Sequence, residues 1–412
     1  MSRLEELIAE LCPNGVEYKK LGDIAAISRG GNLQKKDFCA EGVPCIHYGQ
    51  IYTRYGLFSD RTFTFISEDC AKKQKIAYPN DIVMAVTSEN IEDICKCVAW
   101  LGESTIAVSG HTAIIHHSQN AKYLTYYFHT QMFATQKRRL AHGTKVMEVT
   151  PDTLNSVIVP IPPLQVQSEI VKILDNFTEL TAELTAELTA RRKQYEYYHN
   201  YLMDFSSDDV EYKSVGELFE IKNGLNKEKG AFGKGTPIVN FTDVYNKRWL
   251  SGSSLKGLVD VSDDEAERYS AKKGDVFFTR TSETKEDIGM SSTLIEDIPN
   301  CVFSGFVLRA RPTTDLLLPK FCAYYFSTQK VRNTIVRYAA FTTRATTTGP
   351  KLSKIMVPIL SIEKQQKIVD ILDRFDALCN DLTSGLPAEI AARQKQYEYY
   401  RDKLLTFKEL TA

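Results

Sequence analysis

The chain repeats itself at a distance of roughly 200 residues, too long a period for a solenoid. Val16-Glu17-Tyr18-Lys19 returns 194 positions later as Val210-Glu211-Tyr212-Lys213. The same offset pairs Asp81…Thr87-Ser88-Glu89…Glu92-Asp93-Ile94 with Asp275…Thr281-Ser282-Glu283…Glu286-Asp287-Ile288. It grows to 198 from Tyr126-Tyr127-Phe128 and Tyr324-Tyr325-Phe326 through Ile173-Leu174-Asp175 and Ile371-Leu372-Asp373. It reaches 202 where Arg-Arg-Lys-Gln-Tyr-Glu-Tyr-Tyr (191–198) matches Arg-Gln-Lys-Gln-Tyr-Glu-Tyr-Tyr (393–400). Such a pattern requires two copies of one globular domain, each followed by one long helix. A chain of 412 residues is long enough for each copy to bury its own core.

Each copy reads as mixed α/β, in the α+β class. Short β-type runs such as Asp81–Ala85 and Asp275–Thr279 alternate with turn signals such as Arg29-Gly30-Gly31-Asn32 and Asn223-Gly224. Tyr123–Arg139 and Phe321–Tyr338 read as helices. Pro160, Pro162 and Pro163 break the first copy before a helix that starts near Val166; Pro358 does the same before one starting near Ile362. The expected organisation is a first domain at 1–155, a central helix at 156–208, a second domain at 209–355 and a C-terminal helix at 356–412.

The four-residue unit Thr-Ala-Glu-Leu stands at 181–184 and again at 185–188. It puts Leu180, Leu184 and Leu188 on one side of a helix. They belong to a stripe from Ile170, Leu174 and Phe177 down to Tyr195, Tyr198, Leu202 and Phe205. The second helix has the matching stripe: Ile368, Leu372, Phe375, Leu378, Leu382, Leu386, Ile390, Tyr397, Tyr400, Leu404 and Phe407. Stripes this narrow suit coiled-coil packing, and two like helices most simply pair with each other. Gly385 and Pro387 predict a kink or break in the second helix. Tyr195, Tyr197 and Tyr198 cannot all share one seam. Aromatics set among cations typify protein interfaces, so Arg191, Lys193, Tyr195, Tyr197 and Tyr198, with Arg393, Lys395, Tyr397, Tyr399 and Tyr400, are candidate docking residues. Two copies of the surface imply two copies of a partner.

Composition excludes some classes. The net charge of −1 argues against a wholly basic nucleic-acid coat but permits a local basic face. Apolar runs are of strand length, short of a membrane span, and the charged N-terminal MSRLEELIAEL does not read as a signal peptide. Nine scattered cysteines read as small core residues in a reducing, cytoplasmic setting, with no metal site.

The whole arrangement resembles the specificity subunit of type I restriction–modification systems. The resemblance rests on the two domains, the two helices, VPIPPLQVQSEIVKILDNF and VPILSIEKQQKIVDILDRF, and the Thr-Ala-Glu-Leu tract, which looks like the central repeat of the IC subclass. It implies two target-recognition domains, each reading one half of a split, asymmetric site in double-stranded DNA. It implies two antiparallel helices that form a coiled coil between the domains, with pseudo-twofold repetition, and dock two modification subunits. Restriction subunits would join through these. S-adenosylmethionine, ATP and magnesium would be used on the partner subunits, and this chain would bind no cofactor. A protein-interaction scaffold without DNA specificity is the alternative.

The sequence agrees by what it lacks: a Gly-x-x-x-x-Gly-Lys-Ser/Thr loop and an Asn-Pro-Pro-Phe/Tyr tetrapeptide. Asp275…Glu283-Thr284-Lys285 imitates a nuclease pattern, but the first copy has Asp81…Glu89-Asn90-Ile91 there, without the lysine. Base edges call for paired donors and acceptors, and phosphates for cations and hydroxyls. In copy one the candidates are Gln50, Tyr52, Arg54, Ser88, Asn90, His111 and the loop Gly143-Thr144-Lys145, with Lys137, Arg138 and Arg139 for phosphates. In copy two they are Asn240, Asp243, Lys247, Arg248, Thr281, Lys285, Arg332 and the loop Thr342-Thr343-Arg344. The two loops hold matching positions and resemble the family's DNA-contacting loop.

Overall fold

The computed structural model describes residues 2–206, 209–381 and 383–410; Leu382 of the second stripe lies outside them. The chain divides into two compact units, one of residues 1–185 with 389–412, the other of 186–388. The boundary falls inside the Thr-Ala-Glu-Leu tract. Each unit therefore holds one globular copy, the start of the helix after that copy, and the end of the helix after the other copy.

In the first unit the central sheet runs in the order Ala25–Arg29, Thr112–His117, Ile82–Ala85, Cys97–Trp100, Phe58–Ser59. The first three junctions are antiparallel and the last is parallel. Ile82–Ala85 is apolar at every residue because both faces are covered. Ile82 and Met84 pack with Tyr123, Tyr127 and Leu174, whereas Val83 and Ala85 pack with Ile106 and Val108 of a second sheet. The helix Leu164–Leu202 starts in the first of these clusters, where Val166, Ile170 and Leu174 are fully buried. Gln167 is buried with them. Its amide donates to the Pro162 carbonyl at 2.8 Å and accepts from the Asn120 amide at 3.0 Å, so it satisfies the turn that feeds the helix. Asp175 takes the Lys122 ammonium at 2.6 Å and the Tyr126 hydroxyl at 2.7 Å. From the chain's last helix, Tyr400 stacks on Phe177 with ring centres 5.6 Å apart.

The second unit repeats this construction. Its central sheet runs Phe219–Asn223, Val307–Pro312, Val276–Thr279, Ser291–Leu294, Trp249–Leu250, again parallel only at the last junction. Gln365 donates to the Leu360 carbonyl at 3.0 Å and accepts from the Leu318 amide at 2.8 Å. Asp373 takes Lys320 at 2.6 Å and Tyr324 at 2.7 Å. Tyr198 stacks on Phe375 at 5.7 Å, and Arg192 reaches the Cys379 carbonyl at 3.4 Å. Residue numbers rise along one helix as they fall along the other, so the paired segments are antiparallel.

Two details depart from the sequence reading, and a third, the break in the second spacer, agrees with it. Each of the helices expected at 123–139 and 321–338 is two helices: Ala121–Tyr127 and Gln131–Leu140, Pro319–Phe326 and Gln329–Tyr338. Thr130 and Thr328 cap the second of each pair through their hydroxyls, and the cap ends the apolar run. The second spacer is also two helices, Ile362–Asn380 and Leu386–Leu404, with the break where Gly385 and Pro387 predict it. A Cβ on Gly385 would stand 2.4 Å from the Ala377 carbonyl, so only glycine fits that bend. Finally, the thiol of Cys39 is exposed, whereas Cys12, Cys45, Cys95, Cys97, Cys301, Cys322 and Cys379 are core residues. No described helix is long and apolar enough to cross a membrane.

Buried histidines make the fold pH-sensitive. His199, from the central helix, donates to the Tyr324 carbonyl at 2.8 Å, and burial pushes its pKa down to about 4. Burial does the same to His117. Their unfolded value is near 6.5. Between pH 6.5 and 4 the unfolded chain binds these protons and the folded chain does not, so stability is full above pH 6.5 and falls as pH drops through that window. The loss is as much as ~3 kcal/mol per histidine. A thermal melt series should show the midpoint falling below pH 6.5, with a shallower fall in His199→Gln. An unchanged slope in that variant would contradict the assignment.

Candidate nucleic-acid interface

In both units one strand leaves the core and becomes the floor of an exposed surface. In the first unit the buried strand Ile82–Ala85 continues to Val86. The Val86 amide donates to the His111 carbonyl and its carbonyl accepts from Val149, both at 3.0 Å. Thr87–Ser88 then pairs with Met147–Glu148, Met147 opposite Ser88. The turn beyond is held by its own side chains: the Asp93 amide donates to the Asn90 side-chain oxygen at 2.7 Å, and the Asn90 amide group donates to the Asp93 carboxylate at 2.8 Å. A hairpin closed by reciprocal His142–Glu148 bonds carries Gly143, Thr144, Lys145 and Val146 at its tip, all exposed. Gly143 has φ +113°, which explains a glycine there.

The second unit builds the same surface from different residues. The Arg280 amide donates to the Phe306 carbonyl at 3.1 Å, and Thr281–Ser282 pairs with Ala345–Thr346. The turn is held by Thr284, whose hydroxyl donates to Asp287 at 2.6 Å. The hairpin pairs Phe341 with Ala345 and exposes Thr342, Thr343 and Arg344. The ladder sharpens the loop match by one residue. Gly143 corresponds to Phe341 and Thr144 to Thr342, while Lys145 and Arg344 stand one position apart.

The structure sorts the candidates. Asn90, His111, Arg138, Arg139, Thr144 and Lys145 lie exposed in the first unit, as do Lys285, Thr342, Thr343 and Arg344 in the second. Ser88 and Thr281 are half-buried floor residues. Tyr52 is half-buried and donates to the Thr87 carbonyl at 2.8 Å, bracing the floor from below. Arg54 is exposed, with its guanidinium 6.0 Å from the Phe63 ring.

Other candidates are engaged inside the fold. Gln50 is buried, and its oxygen accepts from the His47 amide at 3.1 Å and the Thr64 hydroxyl at 3.2 Å. Lys137 donates to the carbonyls of Glu92 and Ile94 at 2.7 and 2.9 Å, and burial lowers its pKa. Arg332 does the same work in the second unit, reaching Gly289 and Glu286 at 2.5 and 2.8 Å. These two cations are engaged in fastening the turn, whereas a phosphate contact would need them free. Asn240 and Asp243 cap the helix Phe241–Asn246, and Lys247 donates to the Ser254 carbonyl at 2.5 Å. Arg248 pairs with Asp376 at 2.9 Å and touches the Tyr195 hydroxyl, so it holds helices together.

Several residues were missed in the sequence. Arg29 joins the hairpin to the His111 segment by donating to Glu148 and the Gly110 carbonyl, both at 2.9 Å. With Lys35, His47, Tyr48 and His111 it lines a cleft of about 520 Å³. In the second unit Phe306 occupies the place of His111. Aligning Ser109-Gly110-His111 with Ser304-Gly305-Phe306 would have found it.

The nuclease pattern dissolves. Asp275 is fully buried, accepts from the Lys272 amide at 2.8 Å, and pairs with the Arg311 guanidinium at 2.7 and 2.8 Å. Asp81 holds Tyr78 and His116 in the same way. Glu283 lies past the far end of the strand, beside Arg344. Asp275→Ala is expected to cost about 3 kcal/mol in denaturant unfolding, because it leaves Arg311 unpaired. A variant as stable as the parent would remove this structural role.

The tyrosine tails divide their labour. Tyr195 is buried and Tyr397 half-buried; Tyr198 and Tyr400 stack on the opposing phenylalanines. Tyr197 and Tyr399 point outward, 64% and 62% exposed. Arg191 and Arg393 pair along their own helices with Glu187 at 3.1 Å and Glu389 at 3.5 Å. Lys193 and Tyr197 border an open groove of about 800 Å³ with Tyr201 and Phe205. Lys395 and Tyr399 border one of about 910 Å³ with Asp402 and Lys403.

The family of type I restriction modification DNA specificity domains matches this chain at residues 13–191 and again at 207–392. The specificity subunit of the Escherichia coli type I enzyme EcoR124I/EcoR124II is 36% identical over 271 residues, covering 60% of this chain and 63% of the relative. A Haemophilus influenzae protein named as a type I restriction enzyme specificity subunit is 33% identical over 282 residues, covering 64% of this chain and 68% of its own length. Among solved structures, a chain from work on complex assembly and conformational transition of a type I R-M system superposes with TM-score 0.67 at 13% identity, covering 96% of this chain and 98% of its own. The HsdS subunit from Thermoanaerobacter tengcongensis superposes with TM-score 0.54 at 15% identity, covering 96% and 97%. The duplicated fold and the twofold family match agree: this chain belongs to the type I restriction–modification DNA specificity family.

Proposed function

We propose that the chain is the sequence-reading subunit of a type I restriction–modification enzyme. Each unit reads one half of a bipartite, asymmetric site in double-stranded DNA. The observation that carries this is the pair of turn-and-hairpin surfaces built on one ladder but tipped with different side chains, as expected when one scaffold presents two readers. The exposed tips supply cations, hydroxyls and amides, the groups that phosphates and base edges accept. The chain itself is non-catalytic. The pairing of Asp275 with Arg311 supports this, since it buries and occupies the aspartate of the nuclease-like pattern. S-adenosylmethionine, ATP and magnesium are then bound by partner subunits: two modification subunits docked on the tyrosine tails, and restriction subunits joined through them in the cytoplasm. The modification subunit would flip its target adenine out of the stack.

The test is selection of binding sequences from a random duplex library by the chain with its modification subunit, at several salt concentrations. One bipartite motif is expected, matched by the adenine methylation pattern of host DNA. If no bipartite sequence is enriched, the reading fails and a scaffold that binds protein alone takes its place.

A further inference from the structure

Two large apolar rings stand in water on the second unit's exposed surface. Phe306 is 65% exposed and Phe341 is 52% exposed. Both are tied to one strand: the Phe306 carbonyl accepts from the Arg280 amide, and Phe341 pairs with Ala345, which pairs with Ser282. At the corresponding places the first unit has His111 and Gly143. Burying a phenylalanine is worth ~1.5–3 kcal/mol, so leaving two of them unburied on a polar surface marks a contact still to be made. Their surroundings say with what. Arg344, 3.8 Å from the exposed Glu283, and Lys285 stand in solvent on the adjoining hairpin and turn, and these cations suit a polyanion that can displace the carboxylate. The apolar group that a DNA duplex offers among its base edges is the thymine C5 methyl in the major groove.

We propose that Phe306 and Phe341 contact thymine methyl groups, so that the half-site read by the second unit depends on methyls as well as on hydrogen bonds. The inference rests on the DNA-reading function proposed above and narrows it to one chemical feature of one half-site.

The experiment uses the full chain in complex with its modification subunit, bound to duplexes carrying its selected site. Each thymine of the second unit's half-site is replaced in turn by deoxyuridine, which removes only the methyl. Affinity is expected to fall about fourfold at one or two positions, the equivalent of one buried CH₂ each. Phe306→Ser and Phe341→Ser should each abolish the effect at one of those positions while leaving the first half-site's selectivity intact. Both rings are exposed, so the melting midpoint should stay put. The proposal is overturned if the half-site contains no A·T pair, if every deoxyuridine is neutral, or if the methyl effect survives in both variants. Loss of sequence-specific binding by the unaltered chain would instead refute the proposed function, and the first half-site reports that separately.

Discussion

Replacing Tyr197 and Tyr399 by alanine together should abolish methylation by the assembled enzyme while leaving the chain folded. The two side chains occupy corresponding places on the two tails and contribute little to their own units, since each is more than half in solvent. Exposed substitutions of this kind change stability by no more than about 0.5 kcal/mol. A tyrosine that anchors a partner is worth ~2 kcal/mol or more, roughly thirtyfold in affinity. Each ring borders a groove with a lysine on its rim, and the two grooves predict two docking events. Tyr197→Ala alone should therefore yield a complex with one modification subunit, which analytical ultracentrifugation would resolve. Tyr195→Ala is the contrasting control. That ring is buried against Phe375 and touches Arg248, so its loss should lower the melting midpoint. Should the double variant bind two modification subunits as tightly as the parent does, the docking faces lie elsewhere.

The sequence made the framework legible because duplication wrote it twice. Asp81 and Asp275, Gln167 and Gln365, Asp175 and Asp373 recur because the same buried partners must be satisfied in both copies. The surface was less legible, since a cation in a sequence does not reveal which carbonyls face it. Lys137 and Arg332 stand on different turns of corresponding helices, yet both reach the same backbone turn. That convergence exists only in three dimensions. The composition of the two units was hidden for a related reason. Asn200 accepts the Gln329 amide at 2.8 Å, and its counterpart Asp402 accepts that of Gln131 at 3.4 Å. In this way the end of each long helix caps a helix in the copy it does not follow. The stripe periodicity predicted that the helices pair, but not where each would be handed over.

Deletion of residues 185–188 should leave both half-sites unchanged and shorten the gap between them. The helix Leu164–Leu202 runs without interruption through the repeat, so one unit fewer removes ~6 Å and rotates the C-terminal part of the helix by about 40°. One base pair rotates DNA by roughly 35°, at ~10–10.5 per turn. The rotations nearly coincide, which favours a gap shorter by about one base pair. The rise does not, because ~6 Å exceeds the ~3.4 Å of one base-pair step. Bending must absorb the rest, and the break between the helices ending at Asn380 and beginning at Leu386 is a place where the paired strand of the coil can yield. Little stability should be lost. Ala186, Glu187, Thr189 and Ala190 are exposed, Leu184 and Leu188 are only half-buried, and the Thr185 hydroxyl bonds back to the Thr181 carbonyl of its own helix at 2.8 Å. Both proposed recognition surfaces lie in the globular parts, remote in sequence from the cut. The methylation pattern directed by the shortened chain decides the matter. A changed half-site would mean that the tract shapes the readers, whereas an unchanged gap would mean that it does not measure distance.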